Sequence, residues 1–416
     1  MSLTMYIPRG IIYHKLSYDF KNMFRVLFSN LNDENLIKKF EKKFAEYNNS
    51  KFCVAFPYAR MGIYYSLKSK NYPKNSEIIM PPITIKAILD VVLETGLKPI
   101  FVDINDNDFS YNLEDLKSKI NKNTKAILIS YLYGIVPDVD EIIKICREND
   151  LYILEDFSQC LNGKQDKVKT GNFGDVGIYS SSTTKTLDTY GGGLCVTNSD
   201  SINKKLLEFQ NNQSKTNRIV LLKKIMQDFV RNLVTNFLFF NVITIWLLKM
   251  LDVFNKNNTV KYVGLKSTEK TSEFPRDYFY KFSSFQAKIG LETISDVDIH
   301  DSIRIKNVNF INKNSKSMAY FDEQRKRNVY WQYLFIFERQ NNKEIIETFK
   351  KHKVDTAQTS LPLLPYLENY GFNQETPIAK KIHENGYFIP AYHRLNHKDL
   401  LRISSAVDDI LVQNVK

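Results

Sequence analysis

Between Phe40 and Asn198 the apolar positions switch repeatedly between two periods. FEKKFAEYNN (40–49) and ARMGIYYSLKSK (59–70) carry apolar residues at the spacing of a helix with one buried face. KFCVAF (51–56), SEIIMPP (76–82), KPIFVDI (98–104), TKAILISYLYG (124–134), LYILEDF (151–157) and DVGIYSSS (175–182) are short apolar runs, the mark of buried strands. The helical stretches IKAILDVVLETG (85–96, closed by Gly96), LEDLKSKI (113–120) and DVDEIIKICREND (138–150) fall between them. Strands alternating with helices predict crossover connections and an α/β fold with a mostly parallel sheet. Ligands of such sheets bind at the carboxyl ends of the strands.

Residues 201 to about 275 break this rhythm. After them FSSFQAKIGLETI (282–294) reads as a helix, and the remainder alternates shorter elements, as expected of a smaller α+β domain. NVYWQYLFIF (328–337) and NGYFIPAYH (385–393) are its strand candidates. KEIIETFKKH (343–352), IAKKIHE (378–384) and HKDLLRISSAVDDIL (397–411) are its helix candidates. The organisation read from this is an N-terminal segment (1–39), a large domain (40–275) and a small C-terminal domain (276–416).

A chain of 416 residues with 43% hydrophobic and 13% aromatic content can bury a sizeable core, which excludes a single small module and wholesale disorder. The net charge of +12 points to an acidic partner. Four scattered cysteines show no paired spacing and argue against a disulfide framework; Cys160 and Cys195 read as buried small hydrophobes. The six histidines show no metal-ligand spacing, so no metal is expected. The opening MSLTMYIPRG lacks an apolar segment of signal-peptide length, and a cytoplasmic protein is the default expectation. The basic residues are dispersed and no nucleic-acid module is evident, so nucleic acid is not an expected partner.

The chemistry concentrates in LYILEDFSQCLNG (151–163) and GNFGDVGIYSSSTTKTLDTYGGGLCVTN (171–198). One buried strand runs into two carboxylates, Glu155 and Asp156, which are costly there unless paired with a cation. The next ends in hydroxyls, Ser180 to Thr184, followed by Lys185 and by Gly191–Gly193, which allow close backbone approach. An amine, an acid and hydroxyl donors at neighbouring strand ends suit pyridoxal phosphate. That cofactor needs an amine for its aldehyde, an acid for its ring nitrogen and donors for its phosphate.

In these residues the chain resembles the DegT/DnrJ/EryC1/StrS family of sugar aminotransferases, a branch of the fold-type I pyridoxal-phosphate enzymes. FEKKFAEYNNSKFCV, KPIFVDI, TKAILISYLYG, LEDFSQ, SSSTTKTLDTYGGGLCVTN, FSSFQAKIGLETI and IPAYHRLNHKDLLRI follow in the family's order. The resemblance implies a seven-stranded, mostly parallel sheet and a homodimer with active sites at the interface. It implies that Lys185 bonds the cofactor and moves the proton, that Asp156 pairs with the ring nitrogen and that Gln159 lies near the ring hydroxyl. Ser180 and the amides at the helix start, Ala59 and Arg60, would bind the phosphate, as helix starts favour anions. The implied reaction moves an amino group from an amino acid, the family's usual donor being glutamate, to a keto-sugar that is nucleotide-linked. A degenerate family member that binds without turnover is the alternative. His393, in the closing segment, is a candidate for the substrate cleft.

Two positions depart from the family pattern. Ile83 and Ile85 stand where an aromatic often stacks on the cofactor ring. Phe279, in DYFYK, stands where an asparagine often reaches the neighbouring subunit's phosphate.

Residues 216–262 fit neither the core pattern nor the family. From Ile219 the polar residues Lys223, Lys224, Gln227, Asp228, Arg231, Asn232, Thr235 and Asn236 recur among apolar ones at helical spacing, predicting a wide apolar stripe opposite a basic face. FLFFNVITIWLLKMLDVF (237–254) is more apolar, and no charge occurs from Asn232 to Leu248. That run is shorter than the about 20 residues of a membrane span, and a single crossing would divide the cofactor domain. Two readings remain: a helical pair packed on protein, and an interfacial hairpin (219–254) on an anionic membrane surface, which would place the enzyme peripherally on the inner face.

Overall fold

The computed structural model describes residues 5–254, 273–315, 325–337 and 341–413. Its centre is a seven-stranded sheet. The strands are β1 (Phe52–Phe56), β2 (Glu77–Met80), β3 (Lys98–Phe101), β4 (Thr124–Ser130), β5 (Tyr152–Asp156), β6 (Val176–Ser180) and β7 (Gly193–Thr197). Their spatial order is β1-β7-β6-β5-β4-β2-β3. All run the same way except β7, which is antiparallel to both neighbours, β1 and β6. β7 therefore begins, where the others end, at the edge that holds ligands, and its register sets Gly193 opposite Ser180.

Both faces of the sheet are covered, which is why its strands read as continuous apolar runs. Val54, Ile78, Leu128 and Leu154 point into one core, and Ala55, Ile79, Ile127 and Ile153 into the other. Each fully buried aliphatic side chain contributes about 1.5–3 kcal/mol relative to exposure.

A second, three-stranded antiparallel sheet joins Tyr333–Ile336, Gly386–Ile389 and Ala357–Gln358. Only the latter half of 328–337 is strand, because Asn328–Gln332 leave the sheet and run to the site. The expected helices appear as Ser284–Thr293, Asn342–Lys351, Pro377–Asn385 and His397–Gln413. Ser283 and Gln286 form a capping box that starts the first of these. Three helices had no sequence reading: Leu16–Phe28, Asp200–Asn211 and Asp296–Asn314.

The insert is helical over Arg218–Thr235 and again over Phe237–Phe239, Phe240–Thr244 and Ile245–Phe254; its residues 255–262 lie outside the described residues. Asn236 separates the two halves with extended backbone (φ −60°, ψ 132°), and its side chain accepts from the Leu238 amide at 3.2 Å, capping the second half. The halves meet at 58°, and among the described residues no single helix is long and apolar enough to cross a membrane. The orientation differs from the amphipathic expectation. Asp228 and Asn232 are buried against the protein beside Leu221 and Ile225, while Met226 and Val230 face outward. Hydrogen-bond partners on the protein side for Asp228 and Asn232 decide this.

Candidate active site

The carboxyl ends of β5 and β6 are tied together by Ser158. Its amide donates to Asp156 Oδ1 at 3.0 Å, and its hydroxyl accepts from the Ser180 amide at 2.9 Å. Ser180 Oγ lies 3.0 Å from Ser182 Oγ. Burial pushes the Asp156 carboxyl up, opposed by the Ser158 hydrogen bonds and by the charge of Lys185.

Glu155 has a different fate from the cation pairing its sequence context suggested. It is fully buried, on the opposite face of β5 from Asp156. It accepts from the Gly171 amide at 2.8 Å, the Gly174 amide at 2.6 Å and the Tyr131 hydroxyl. Neutral donors take the place of a cation, and the group knits a loop to the sheet.

Lys185 follows β6 on a tight loop in which its amide donates to the Ser182 carbonyl at 3.1 Å. Thr184 before it has φ 76°, a costly conformation for a β-branched residue. The Trp331 indole N–H donates to the Thr184 carbonyl at 2.7 Å, and Lys185 Nζ lies 3.8 Å from the centroid of the Trp331 ring. Burial holds the Lys185 amine down to about 8, with Asp156 opposing. The lysine is thus close to its neutral, nucleophilic form at physiological pH.

Gln159 spends its side-chain oxygen on the Tyr133 amide at 2.7 Å, leaving its NH2 group to donate. Ala59 and Arg60 open the helix Ala59–Lys68, so their amides have no intrahelical acceptor. The Arg60 side chain is engaged elsewhere: its guanidinium lies 4.7 Å from the Tyr58 ring and 5.0 Å from the Tyr278 ring, and it donates to the Tyr278 hydroxyl. The amide, not the guanidinium, is what Arg60 offers an anion. A Cβ on Gly193 would sit 2.3 Å from the Ala59 nitrogen, so only glycine lets β7 approach this helix start.

The two departures resolve differently. Ile83 is fully buried and bridges to Leu363, whereas Ile85 is exposed. Trp331 is the aromatic that touches the lysine. Its only sequence signal is rarity, as one of two tryptophans. Beside Phe279, Asp277 accepts from the Tyr58 hydroxyl and Tyr278 from Arg60, so this stretch meets the helix start of its own chain.

The insert also belongs here. Lys224 Nζ lies 4.0 Å from the Tyr58 ring centroid, and burial pushes its amine down to about 8. Asp228 accepts from the Thr183 hydroxyl, and Arg231 reaches the same hydroxyl at 3.2 Å. Asn232 donates to the His14 carbonyl at 3.0 Å and to Asp19. A cavity of about 200 Å³ opens beside the loop, with Arg9, Tyr13, Thr184, Trp331 and Tyr392 in its wall, and Thr235 of the insert. His393 is not part of that wall; it packs against Tyr13 and His300. Cys160 and Cys195 are buried free thiols.

The donor set fits pyridoxal phosphate. It offers an amine near its titration point, a half-buried carboxylate with one oxygen committed, and serine hydroxyls beside a helix start. The model of the DegT/DnrJ/EryC1/StrS aminotransferase family matches residues 21–229 and 251–408. The chain is 25% identical over 388 residues to an uncharacterized protein of Methanocaldococcus jannaschii, covering 90% of each. It is 23% identical over 381 residues to GDP-perosamine synthase of Escherichia coli O157:H7, again covering 90% of each. The fold superposes on the aminotransferase from Psychrobacter cryohalolentis with a TM-score of 0.75 at 16% identity, over 98% of this chain and 100% of that one. A family match that takes in both Asp156 and Lys185 and nearly the whole fold settles the identity: the chain belongs to the DegT/DnrJ/EryC1/StrS aminotransferase family and is a pyridoxal-phosphate-dependent enzyme.

Proposed function

We propose that the enzyme moves an amino group from an amino acid, glutamate by family resemblance, to a nucleotide-linked keto-sugar in surface polysaccharide or glycoconjugate biosynthesis. The observation that carries the reading is the half-buried Lys185 amine, held near 8 between Asp156 and Trp331 at the ligand edge of the sheet. The likeness to GDP-perosamine synthase supports a nucleotide-linked sugar as acceptor. The +12 charge favours a diphosphate-bearing substrate.

When bound, pyridoxal phosphate supplies an electron sink for charge that develops beside the migrating nitrogen. Lys185 Nζ would hold the cofactor's aldehyde carbon and serve as the base that moves a proton at the donor's α carbon. Asp156 would keep the ring nitrogen protonated. Gln159 would donate its NH2 group to the ring oxygen. Ser180 and the Ala59 and Arg60 amides would bind the phosphate.

The working form in this reading is a homodimer on the cytoplasmic side, with the insert 219–254 resting on the anionic inner membrane surface. The test of the reaction is a half-reaction: glutamate added to cofactor-loaded protein should shift the visible absorbance to the pyridoxamine form. Keto-sugar nucleotides should then regenerate the first form and gain an amino group by mass spectrometry. A spectrum unmoved by glutamate and by every other amino acid would overturn the transaminase reading. Light scattering decides the dimer: a monomeric mass would overturn that element.

A further inference from the structure

We propose that the N-terminal helix Leu16–Phe28 and the insert form one continuous docking face for anionic phospholipid. The proposal rests on the membrane reading above and extends it to an element remote in sequence. The helix packs along Arg218–Thr235, and its outer side is apolar. Phe24 is 53% exposed and Phe28 89%, and Phe20 is exposed beside them. The Phe24, Phe20 and Phe229 rings form a series with centroids 5.2 and 6.1 Å apart, carrying the apolar row from one helix to the other. Beyond it lie the exposed Met226 and Val230, and past the bend at Asn236 Trp246 is 61% exposed. Exposed apolar patches beyond a few hundred Å² mark interaction surfaces.

Charge selects the occupant. The two helices that carry the row contain two acids, Asp19 and Asp228, and both are buried, at 0% and 2% exposure. Exposed beside the apolar row are the cations Lys15, Lys21 and Lys223; Arg231 is exposed too but pairs with Asp228 at 3.4 Å. Arg25 is paired with Glu292 at 2.8 Å. Asp252 is the one acid in the sequence of the second half of the insert, 237–254. A second copy seated two-fold on this face would set Lys15, Lys21 and Lys223 against their own images. A lipid surface supplies hydrocarbon for the phenylalanines and phosphate for the lysines.

The experiment is flotation of the full-length protein with vesicles of phosphatidylcholine alone and with about a third phosphatidylglycerol. The wild type is expected to float with the anionic vesicles and to lose binding as salt rises. A triple variant, Phe20→Ser with Phe24→Ser and Phe28→Ser, is expected to bind at least about tenfold more weakly, with an unchanged thermal midpoint because these side chains are already exposed. Phe24→Ser alone gives a second reading should the triple variant fold poorly. If the helix variants float like wild type while Met226→Ser with Val230→Ser and Trp246→Ser does not, the shared face is overturned and the membrane reading stands. If the wild type does not float, both fall. If the triple variant changes the mass in light scattering, the face belongs to a second copy and the proposal is overturned.

Discussion

Trp331 grips the Lys185 loop at two points: its ring lies 3.8 Å from Lys185 Nζ, and its indole N–H donates to the carbonyl of Thr184 at 2.7 Å. The hydrogen bond holds a β-branched residue in a left-handed conformation directly before the lysine. Trp331→Phe keeps a ring but loses the bond. The expected cost is about 1 kcal/mol of transition-state stabilisation, or roughly fivefold in kcat. Trp331→Ala should cost more and also slow cofactor capture, measured by stopped-flow absorbance.

Burial holds the Lys185 amine down to about 8, so its neutral fraction rises steeply through that pH. The rate at which apoprotein captures pyridoxal phosphate should follow this fraction, climbing from pH 6.5 to pH 9 and then levelling. A midpoint near the ordinary lysine value of about 10.4 would show that the amine is not desolvated.

His14 predicts a loss of stability at alkaline pH. Its Nδ1 lies 3.0 Å from Asp19 and its Nε2 2.9 Å from the Asp188 carbonyl. Both partners are acceptors, so the doubly protonated ring satisfies both. Burial presses its pKa down, but the Asp188 and Asp19 carboxylates win and raise it to about 9. Burial also pushes the neighbouring Asp188 and Asp228 carboxyls up, with the same sign of effect, while the His14 charge and Arg231 oppose. The folded pKa exceeds the unfolded one of about 6.5. The contribution is therefore complete below pH 6.5 and lost as pH rises through 9, by about 2–3 kcal/mol. Thermal midpoints from pH 6 to 9.5 should fall more steeply for wild type than for His14→Gln.

Gly193→Ala would place a methyl group 2.3 Å from the Ala59 nitrogen, backbone against backbone. Neither side can yield without moving β7 or the helix start. A destabilisation of about 1–3 kcal/mol is expected, with weaker cofactor retention, measured by denaturant unfolding and by absorbance after gel filtration.

The adjacent carboxylates should separate stability from chemistry. Glu155→Gln replaces one acceptor oxygen with a donor facing the amides of Gly171 or Gly174, and should cost about 1–3 kcal/mol in unfolding free energy. Asp156→Asn, at the carboxyl end of β5, should leave unfolding nearly unchanged if Asp156 serves the cofactor as proposed. Its transamination rate should fall by about 10²-fold or more.

The parallel sheet was legible because doubly covered strands are uninterrupted apolar runs, and the run 151–157 ends at the carboxylate the site uses. β7 escaped reading because GLCVT has only three apolar residues and follows glycines that read as loop. Trp331 escaped because its role depends on a turn after Asn328, where the apolar run continues without a break. His14 reaches Asp188 across most of the large domain's sequence, and no local period encodes such a pairing. The insert's helices were readable, but their facing was not. Asp228 and Asn232 turn inward because Thr183, His14 and Asp19 supply partners there, and that preference outweighs the apolar stripe.

The reversed strand β7 also bears on how the chain is made. β1 is the first strand to leave the ribosome, yet its sole partner in the sheet is β7, the last of the seven. Synthesis at about 5–20 residues per second leaves β1 without that partner for on the order of ten seconds. Until residues 193–197 slide between β1 and β6, the start of the helix Ala59–Lys68 lacks its close backbone contact with Gly193. The free amides of Ala59 and Arg60 and the strand that follows the Lys185 loop thus become neighbours in one late event. Vitamin capture would then mark a chain that has closed its sheet, and a nascent polypeptide halted before Gly193 should retain none.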